Sequence, residues 1–415
     1  MSPGLLMTNI KQSTAAFLQT LRRKMPQLDI QYTKLRWLLT IVGLVLYVVD
    51  ICTDVGLALK YFREKHFVWT TLTLVFVLAG LLVTQIFSYA WYRDDMNEFQ
   101  ADTEGEPSIS TIPGMSTGGL AVLHVFGMGI FTRYYHLLNK SFKVVWMTTK
   151  SYTVEEKTDV HYDLFGLATD LSMLKLFEAF LESVPQLLLQ LYILLGQNER
   201  YSVLQYLSLA FSFFNIAWSL VDYRRCMRRS HPHITEMPSG LPTVVYLLYK
   251  LCTITSHILS YTLLLILSPF STIALTVLWL LGTTWANVLQ TDFCLSRGLE
   301  FLYQAVVGFI LTFTFFNVKG QDTKVAMAIY YIFYVGINIL APSLLALLKP
   351  ELQTAVYLLP VCGLIVGGSV LGLVCLVLYY LLLHPREKQQ RVSDVVDGLG
   401  KETQTTRRMR NFLQP

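Results

Sequence analysis

The sequence predicts an all-α, polytopic membrane protein with about eight transmembrane helices and two helical hairpins that are re-entrant or only partly inserted. Its 415 residues are 53% hydrophobic and only 15% charged, whereas soluble domains average about 25% charged residues. The chain also contains a series of apolar runs, and roughly 20 apolar residues in a helix suffice to cross a bilayer. These runs are 35–60, 67–92, 116–137, 161–197, 202–222, 241–268, 271–292, 299–317, 324–348 and 354–383.

The first segment, residues 1–34, is expected to be cytoplasmic. It lacks the short apolar core and small-residue cleavage site of a secretory signal peptide, so the first apolar run has to act as the targeting signal. Cytoplasmic flanks of membrane helices are enriched in lysine and arginine. Basic residues cluster before the first run and again after the fifth: Arg22, Arg23, Lys24, Lys34 and Arg36, then Arg224, Arg225, Arg228 and Arg229. The polar, basic segment 384–415 is expected on the same side, so both termini are predicted to be cytoplasmic.

A stripe of polar residues interrupts the apolar run 161–197. Its members are separated by three or four positions, a spacing that places them on one face of a helix. A charged side chain near the bilayer centre costs about 2.5 to 3.5 kcal/mol on insertion scales, so the stripe favours a functional role. The stripe consists of Lys175, Glu178, Glu182, Gln186 and Gln190.

Other ionisable residues also lie within or at the ends of apolar runs. Asp50 and Asp54 are one helical turn apart in the first run, and Asp222 lies close to Arg225 at the end of the fifth. Lys250 and His257 lie seven residues apart, hence on one helix face. Such charges often pair within a bundle and serve packing alone. Their number instead favours a wetted face for ions or lipid headgroups.

Pro185 predicts a break in the striped segment, because proline lacks a backbone donor and disrupts a helix. We therefore expect a re-entrant hairpin around Ser183, Pro185 and Gln186. The six cysteines show no CxxC or Cys/His pattern, and no phosphate-binding glycine loop, GxSxG or HExxH is present. The sequence thus predicts no metal site, no cofactor, no enzymatic chemistry and no nucleic-acid partner.

Four sequence blocks together resemble the XK-related membrane proteins, and the resemblance runs from about residue 33 to the end. They are Val49-Asp-Ile-Cys-Thr-Asp54, the block from Ala168 to Leu187, Val221-Asp-Tyr-Arg-Arg225, and Gly308 to Gly320. Caspase-activated members of that family are energy-independent phospholipid scramblases. The resemblance implies exposure of phosphatidylserine at the plasma membrane of apoptotic cells and their engulfment. It also implies an executioner caspase and an immunoglobulin-type chaperone subunit as partners.

The tail contains a motif that this resemblance implies. Asp394-Val-Val-Asp397-Gly398 matches the Asp-x-x-Asp pattern cut by executioner caspases after the second aspartate. Cleavage would release Gly398 to Pro415, 18 residues whose side chains carry four positive charges and one negative charge. One hypothesis is that this peptide plugs the cytoplasmic face and holds a closed state. The alternative is a tail that adheres to anionic lipid.

The sequence thus divides into the segment 1–34, a membrane domain at 35–383 and a regulatory tail at 384–415. The predicted lipid pathway consists of Asp50, Asp54, Lys175, Glu178, Glu182, Asp222 and Arg225, and its selectivity is expected to be broad. The resemblance associates Trp69 with an outer gate, although interfacial tryptophans also serve as simple anchors. Two other functions fit the intramembrane charges: a secondary transporter or channel for ions or amino acids, and a scaffold that recruits a lipid-transfer partner.

Overall fold

The computed structural model describes residues 32–101, 116–147, 154–196, 203–229, 240–291, 293–318, 324–351 and 357–383. These residues form α-helices and two π-helical segments, and no strand occurs among them. Seven helical stretches in this part of the chain are long and apolar enough to cross a membrane. The predicted fold class, an all-α polytopic membrane protein, is confirmed.

The first two helices form an antiparallel pair. Helix α1 spans Lys34–Arg63 and begins at Thr33, whose side chain accepts a hydrogen bond from the Arg36 N–H. Helix α2 spans Phe67–Ala101, and Lys65 in the short connection has a φ of 61°. Most of α1 is exposed, so α1 contacts the bundle along a single face.

The apolar run 116–137 is divided between two helices. Helix α3 spans Thr117–Val125, and helix α4 spans Gly129–Trp146. Gly127 in the connection has a φ of 75°, a left-handed conformation that glycine adopts without steric cost. Nine residues of helix extend only about 14 Å, so α3 is too short to cross a bilayer. The apolar run 116–137 therefore does not form one transmembrane helix, because it is interrupted between Val125 and Gly129.

The striped segment forms the central helix of the bundle. Helix α5 spans Val154–Glu178, a π-helical segment spans Ala179–Ser183, and helix α6 spans Val184–Gly196. The Val184 N–H donates to the Ala179 carbonyl, five residues back. This wider turn accommodates Pro185 without a chain reversal, because the carbonyls before the proline find other donors. The hairpin predicted around Ser183, Pro185 and Gln186 is therefore replaced by a continuous helix.

Two further helices enclose the central one. Helix α7 spans Val203–Arg229 and packs along α5. Helix α8 spans Leu241–Leu267 and packs on α6 and α7. About two thirds of the residues in its apolar stretch are buried. At 27 residues, α7 extends about 40 Å, enough to cross a hydrocarbon core of about 30 Å.

Two shorter helices form a tightly packed hairpin. Helix α9 spans Ser271–Val288 and helix α10 spans Arg297–Phe313. A Cβ atom added to Gly282 would lie 2.8 Å from the carbonyl oxygen of Gly308. Small residues at such crossings allow two membrane helices to approach closely. This hairpin is thus held by backbone contact between its two glycines.

The last two helices complete the bundle on the other side of α8. Helix α11 spans Lys324–Leu348, and helix α12 spans Leu358–Leu378 and continues as a π-helical segment, Tyr379–Leu383. Both pack on α8. The largest apolar core joins residues of α5, α6, α8 and α10, including Phe177, Ile258 and Val307. The central helix therefore contacts α2, α7 and α8, whereas α1 packs on α2 and α4.

Candidate functional site

A row of polar contacts follows the inward face of α1. The side chains that make these contacts recur every three to seven positions, so they lie on one side of the helix. From Arg36 to Lys60 the row is about 36 Å long, because each helical residue adds 1.5 Å. Its members on α1 are Arg36, Thr40, Tyr47, Asp50, Asp54 and Tyr61, and the exposed Lys60 next to Tyr61 also lines the cleft at that end.

The deepest part of this row is a cleft between α1, α6 and α7. The cleft has a volume of about 280 Å³. Asp50 and Asp54 line it from α1, and amide and hydroxyl groups line it from the facing helices: Ser183, Gln186, Gln190 and Ser212. The structure therefore brings the aspartates of the first apolar run together with the end of the predicted stripe.

Lys175 and Glu178 lie next to the cleft and form an ion pair with each other. The Lys175 ammonium also lies 4.3 Å from the ring centre of Tyr47. Cation–π contacts of this kind gain strength when the cation is removed from water. Lys175 therefore lies between α5 and α1, and Glu178 on its own helix balances its charge.

Glu182 joins three helices at one point. Its carboxyl group contacts that of Asp54 on α1 and is 95% buried. On its other side it lies against α2, where a Cβ atom added to Gly80 would be 2.8 Å from the Glu182 carboxylate. Two carboxyl groups in contact repel each other unless a cation or a proton lies between them. A proton shared between Asp54 and Glu182, or a cation in the cleft, would remove this repulsion.

Asp222 and Arg225 lie outside the cleft. The thiol of Cys226 is 3.8 Å from the Asp222 carboxylate and accepts a hydrogen bond of 2.9 Å from the Arg36 guanidinium. This places Asp222 near the first turn of α1, at the opposite end from Lys60. Arg225 is half-buried on the same helix. These two residues of the predicted pathway therefore lie on α7, next to the Arg36 end of the row.

Trp69 lies beside the other end of the row. It stacks on His66 at 4.1 Å and meets Tyr61 edge-on at 5.6 Å. Tyr61 itself lines the cleft. Trp69 is therefore one aromatic contact away from the cleft, at the turn between α1 and α2.

A second buried network joins Asp170, the acidic residue at the start of the striped segment, to three residues that the sequence reasoning did not select. Arg133 on α4 forms an ion pair of 3.2 Å with Asp170 on α5, and both are almost fully buried. Arg133 also donates to the side chain and the carbonyl of Ser88 on α2. His124 contacts the same Ser88 hydroxyl at 3.0 Å. A single arginine inside the apolar run 116–137 was the signal that could have identified this network.

Lys250 and His257 do not meet a carboxylate in the described part of the chain. The Lys250 ammonium donates to the Thr314 hydroxyl at 3.0 Å and to the Phe315 carbonyl at 2.8 Å, immediately after α10. His257 contacts the Asn338 side chain at 3.2 Å. Cations near a helix C-terminus are stabilised by its carbonyls. These two residues thus connect α8 to α10 and α11.

The described residues contain no group of three histidine, cysteine or carboxylate side chains arranged to hold a metal ion. All six cysteines are free thiols. The predicted cleavage motif at Asp394, Asp397 and Gly398 lies outside the described residues.

Comparison with known proteins identifies the family. The sequence profile of the XK-related proteins matches residues 38–385, from near the start of α1 to just past the end of the described chain. This chain belongs to the XK-related family. It is 58% identical to XK-related protein 9 from Tetraodon nigroviridis over 385 residues, which cover 93% of this chain and all of that protein.

More distant XK-related relatives extend over a similar length. The chain is 32% identical to XK-related protein 8 from Pan troglodytes, covering 91% of this chain and 92% of that protein. It is 29% identical to XK-related protein 8 from Tetraodon nigroviridis, covering 85% and 84%. The XK-related match contains every residue of the cleft, and of the row along α1 only Arg36 precedes it.

Proposed function

We propose that this protein is a phospholipid scramblase that is switched on when a caspase removes its C-terminal tail. Such a protein carries lipids between leaflets in both directions without an energy source. Activity at the plasma membrane would expose phosphatidylserine on apoptotic cells and promote their engulfment. Both termini would lie in the cytoplasm, where the tail meets the protease.

The observation that carries this proposal is the polar row along α1. Moving a polar headgroup through hydrocarbon without compensating contacts costs several kcal/mol. A row of charged, hydroxyl and amide groups about 36 Å long gives the headgroup successive partners, while its acyl chains remain in the bilayer. The contacts are individually weak, which allows the lipid to leave as well as to enter.

The tail supplies the proposed switch. Thirteen residues, 384–396, lie between the end of the described chain at Leu383 and Asp397. The released piece has a side-chain charge of +3, and the carboxylates of the row offer an opposite charge. Cleavage of one bond would remove contacts that favour a closed state and so shift the population to an open one.

The continuity of the central helix bears on the transporter alternative. Secondary transporters bind ions with the backbone groups that a broken helix frees. Here the helix runs through Pro185 by means of the π-helical segment, so this feature no longer supports an ion site. An executioner caspase and an immunoglobulin-type chaperone subunit remain the proposed protein partners.

The test is reconstitution into liposomes that carry fluorescent lipids in both leaflets. Full-length protein is compared with protein that ends at Asp397, and a membrane-impermeant quencher reports the outer-leaflet fraction. We expect quenching beyond the protein-free plateau with the truncated form only. Quenching that stays at that plateau would refute the scramblase function.

Two variants separate the switch from the path. In cells, Asp397→Ala should block phosphatidylserine exposure after an apoptotic stimulus while surface delivery is retained. Normal exposure in that variant would exclude the tail. Glu182→Gln in the truncated protein should change the scrambling rate with retained folding, whereas a purely structural role predicts loss of expression.

A further inference from the structure

The charge of the cleft between α1, α6 and α7 is unbalanced. Asp50 and Asp54 line it, and Glu182 contacts Asp54. Lys60 lines its exposed end, where its ammonium lies 3.9 Å from the Glu64 carboxylate. Among the described residues, no lysine or arginine nitrogen lies within 4.0 Å of the Asp50, Asp54 and Glu182 carboxyl groups. Lys175 is engaged by Glu178. A positive charge inside this cleft would therefore meet carboxylates that the protein leaves without an ion-pair partner.

The same cleft contains a buried donor without an acceptor. Gln186 lines the cavity and is 96% buried. Its side chain lies beside the Asp54 carboxyl group, and its amide carries two N–H donors. No hydrogen bond satisfies its amide nitrogen within the residues that the structure describes. Buried amide groups of this kind nearly always have a partner. The Gln186 amide therefore offers a hydrogen bond to an acceptor that enters the cavity.

A carboxylate and a free donor on facing walls match a zwitterion. The phosphate of a lipid headgroup carries acceptor oxygens, and the headgroups of phosphatidylcholine, phosphatidylethanolamine and phosphatidylserine also carry an ammonium group. The phosphate would accept from Gln186 while the ammonium neutralises Asp54. Phosphatidylglycerol has the phosphate but no ammonium, so it brings a second negative charge beside the carboxylates.

We propose that the cleft at Asp54 and Gln186 selects headgroups that carry an ammonium group together with the phosphate. This inference rests on the proposed scramblase function and narrows the broad selectivity that the sequence predicts. Phosphatidylglycerol should cross roughly ten-fold more slowly than phosphatidylcholine, because opposed charges a few ångströms apart at a protein surface interact strongly enough to change a rate by at least that factor.

The experiment uses the protein that ends at Asp397 in liposomes of one fixed composition. Trace amounts of phosphatidylcholine, phosphatidylethanolamine or phosphatidylglycerol, each with the same acyl-chain fluorophore, are followed in separate samples. The readout is the ratio of the phosphatidylglycerol rate to the phosphatidylcholine rate. We expect a ratio near 0.1. If no labelled lipid moves, the proposed function fails; if all three move equally fast, only the selectivity is overturned.

Two variants locate the selectivity. Asp54→Asn should bring the ratio close to one, and Gln186→Leu should slow all three lipids together because each of them carries a phosphate. Glu351→Gln, which removes a carboxylate from an exposed position outside the cleft, should leave the ratio unchanged. A ratio that is the same in Asp54→Asn as in the parent protein would overturn the assignment.

A salt titration of the parent protein tests the same inference without a variant. Ions that enter a water-filled cleft screen its carboxylates. Raising the ionic strength should therefore move the ratio of the two rates toward one. A ratio that does not depend on salt in the parent protein, together with an unchanged ratio in Asp54→Asn, would exclude charge as its cause.

Discussion

Glu182 occupies the space that the missing side chain of Gly80 leaves on α2. A Cβ atom at position 80 would lie 2.8 Å from both the Cβ and a carboxylate oxygen of Glu182. Real Cβ atoms do not approach other atoms so closely, so a larger residue at position 80 requires Glu182 to move. The distance between α2 and the central helix is thus set by one glycine.

Replacing Gly80 by alanine should displace Glu182 from Asp54 and lower both stability and lipid transfer. Overpacking of a tight contact costs about 1–3 kcal/mol. The measurement is thermal unfolding of the purified protein in detergent, followed by scrambling assays on the truncated form. Gly367→Ala on α12 is the matched control, because nothing lies within 4 Å of a Cβ atom there and the position is exposed and outside the cleft. Equal loss in both variants would contradict the contact.

Replacing Arg133 by methionine should destabilise the protein by about 3–5 kcal/mol, because Asp170 then remains as a buried charge without its ion-pair partner. Thermal unfolding measures the loss. The double variant Arg133→Met with Asp170→Leu should recover most of it, since two apolar residues leave no charge behind. Glu64→Gln, which removes the exposed ion pair of 3.9 Å with Lys60, should cost at most about 1 kcal/mol.

Replacing Lys250 by methionine should destabilise the packing of α8 on α10. The substitution removes the donor to the Thr314 hydroxyl and the Phe315 carbonyl, and a buried polar group without its partner costs about 1–3 kcal/mol. A lower unfolding temperature in detergent is the expected result. Lys324→Met, at an exposed position, serves as the control. An unchanged unfolding temperature in Lys250→Met would mean that these acceptors find another donor.

Replacing Gly308 by leucine should separate α9 from α10. The nearest atoms to a Cβ at this position are the hydroxyl and the backbone of Thr283. Because backbone atoms are among them, turning the Thr283 side chain away cannot relieve the clash. We expect loss of monodisperse protein in size-exclusion chromatography. Gly336→Leu on α11 should be tolerated, because a Cβ there meets no atom within 4 Å. Normal elution of both variants would show that the hairpin adapts to the added volume.

The fold class and the central stripe could be predicted because both depend on local patterns. Long apolar runs determine the number of helices, and the spacing of Lys175, Glu178 and Glu182 determines the face on which they lie. Asp50 and Asp54 were predicted as partners of the stripe, and the structure brings them to the same cleft. A charged residue inside an apolar run needs a polar partner, and the sequence offers few of them. The aspartates of the first run could therefore be assigned to the stripe.

The continuity of the helix through Pro185 was not predictable from the sequence pattern, which led us to expect a hairpin there. The effect of proline depends on whether the preceding turn can widen, and the π-helical hydrogen bond from Val184 to Ala179 has no clear sequence signal. The role of Arg133 was missed for another reason: it lies alone in its run, and its partners come from α2 and α5. Such contacts between distant segments depend on how the helices pack.

The π-helical segment has a consequence for the register of the central helix. A π-bulge accommodates one extra residue, so whatever follows it is rotated by about 100° relative to an uninterrupted α-helix. Deletion of one residue between 179 and 183 would restore the regular helix. Because the bulge holds one residue more than a regular helix would, this deletion should keep Gln186 and Gln190 turned toward the aspartates while Lys175 and Glu178 stay beside Tyr47. The five residues Ala179–Ser183 thus set the angle between the two halves of the stripe, and the helix can lose one of them without losing that angle.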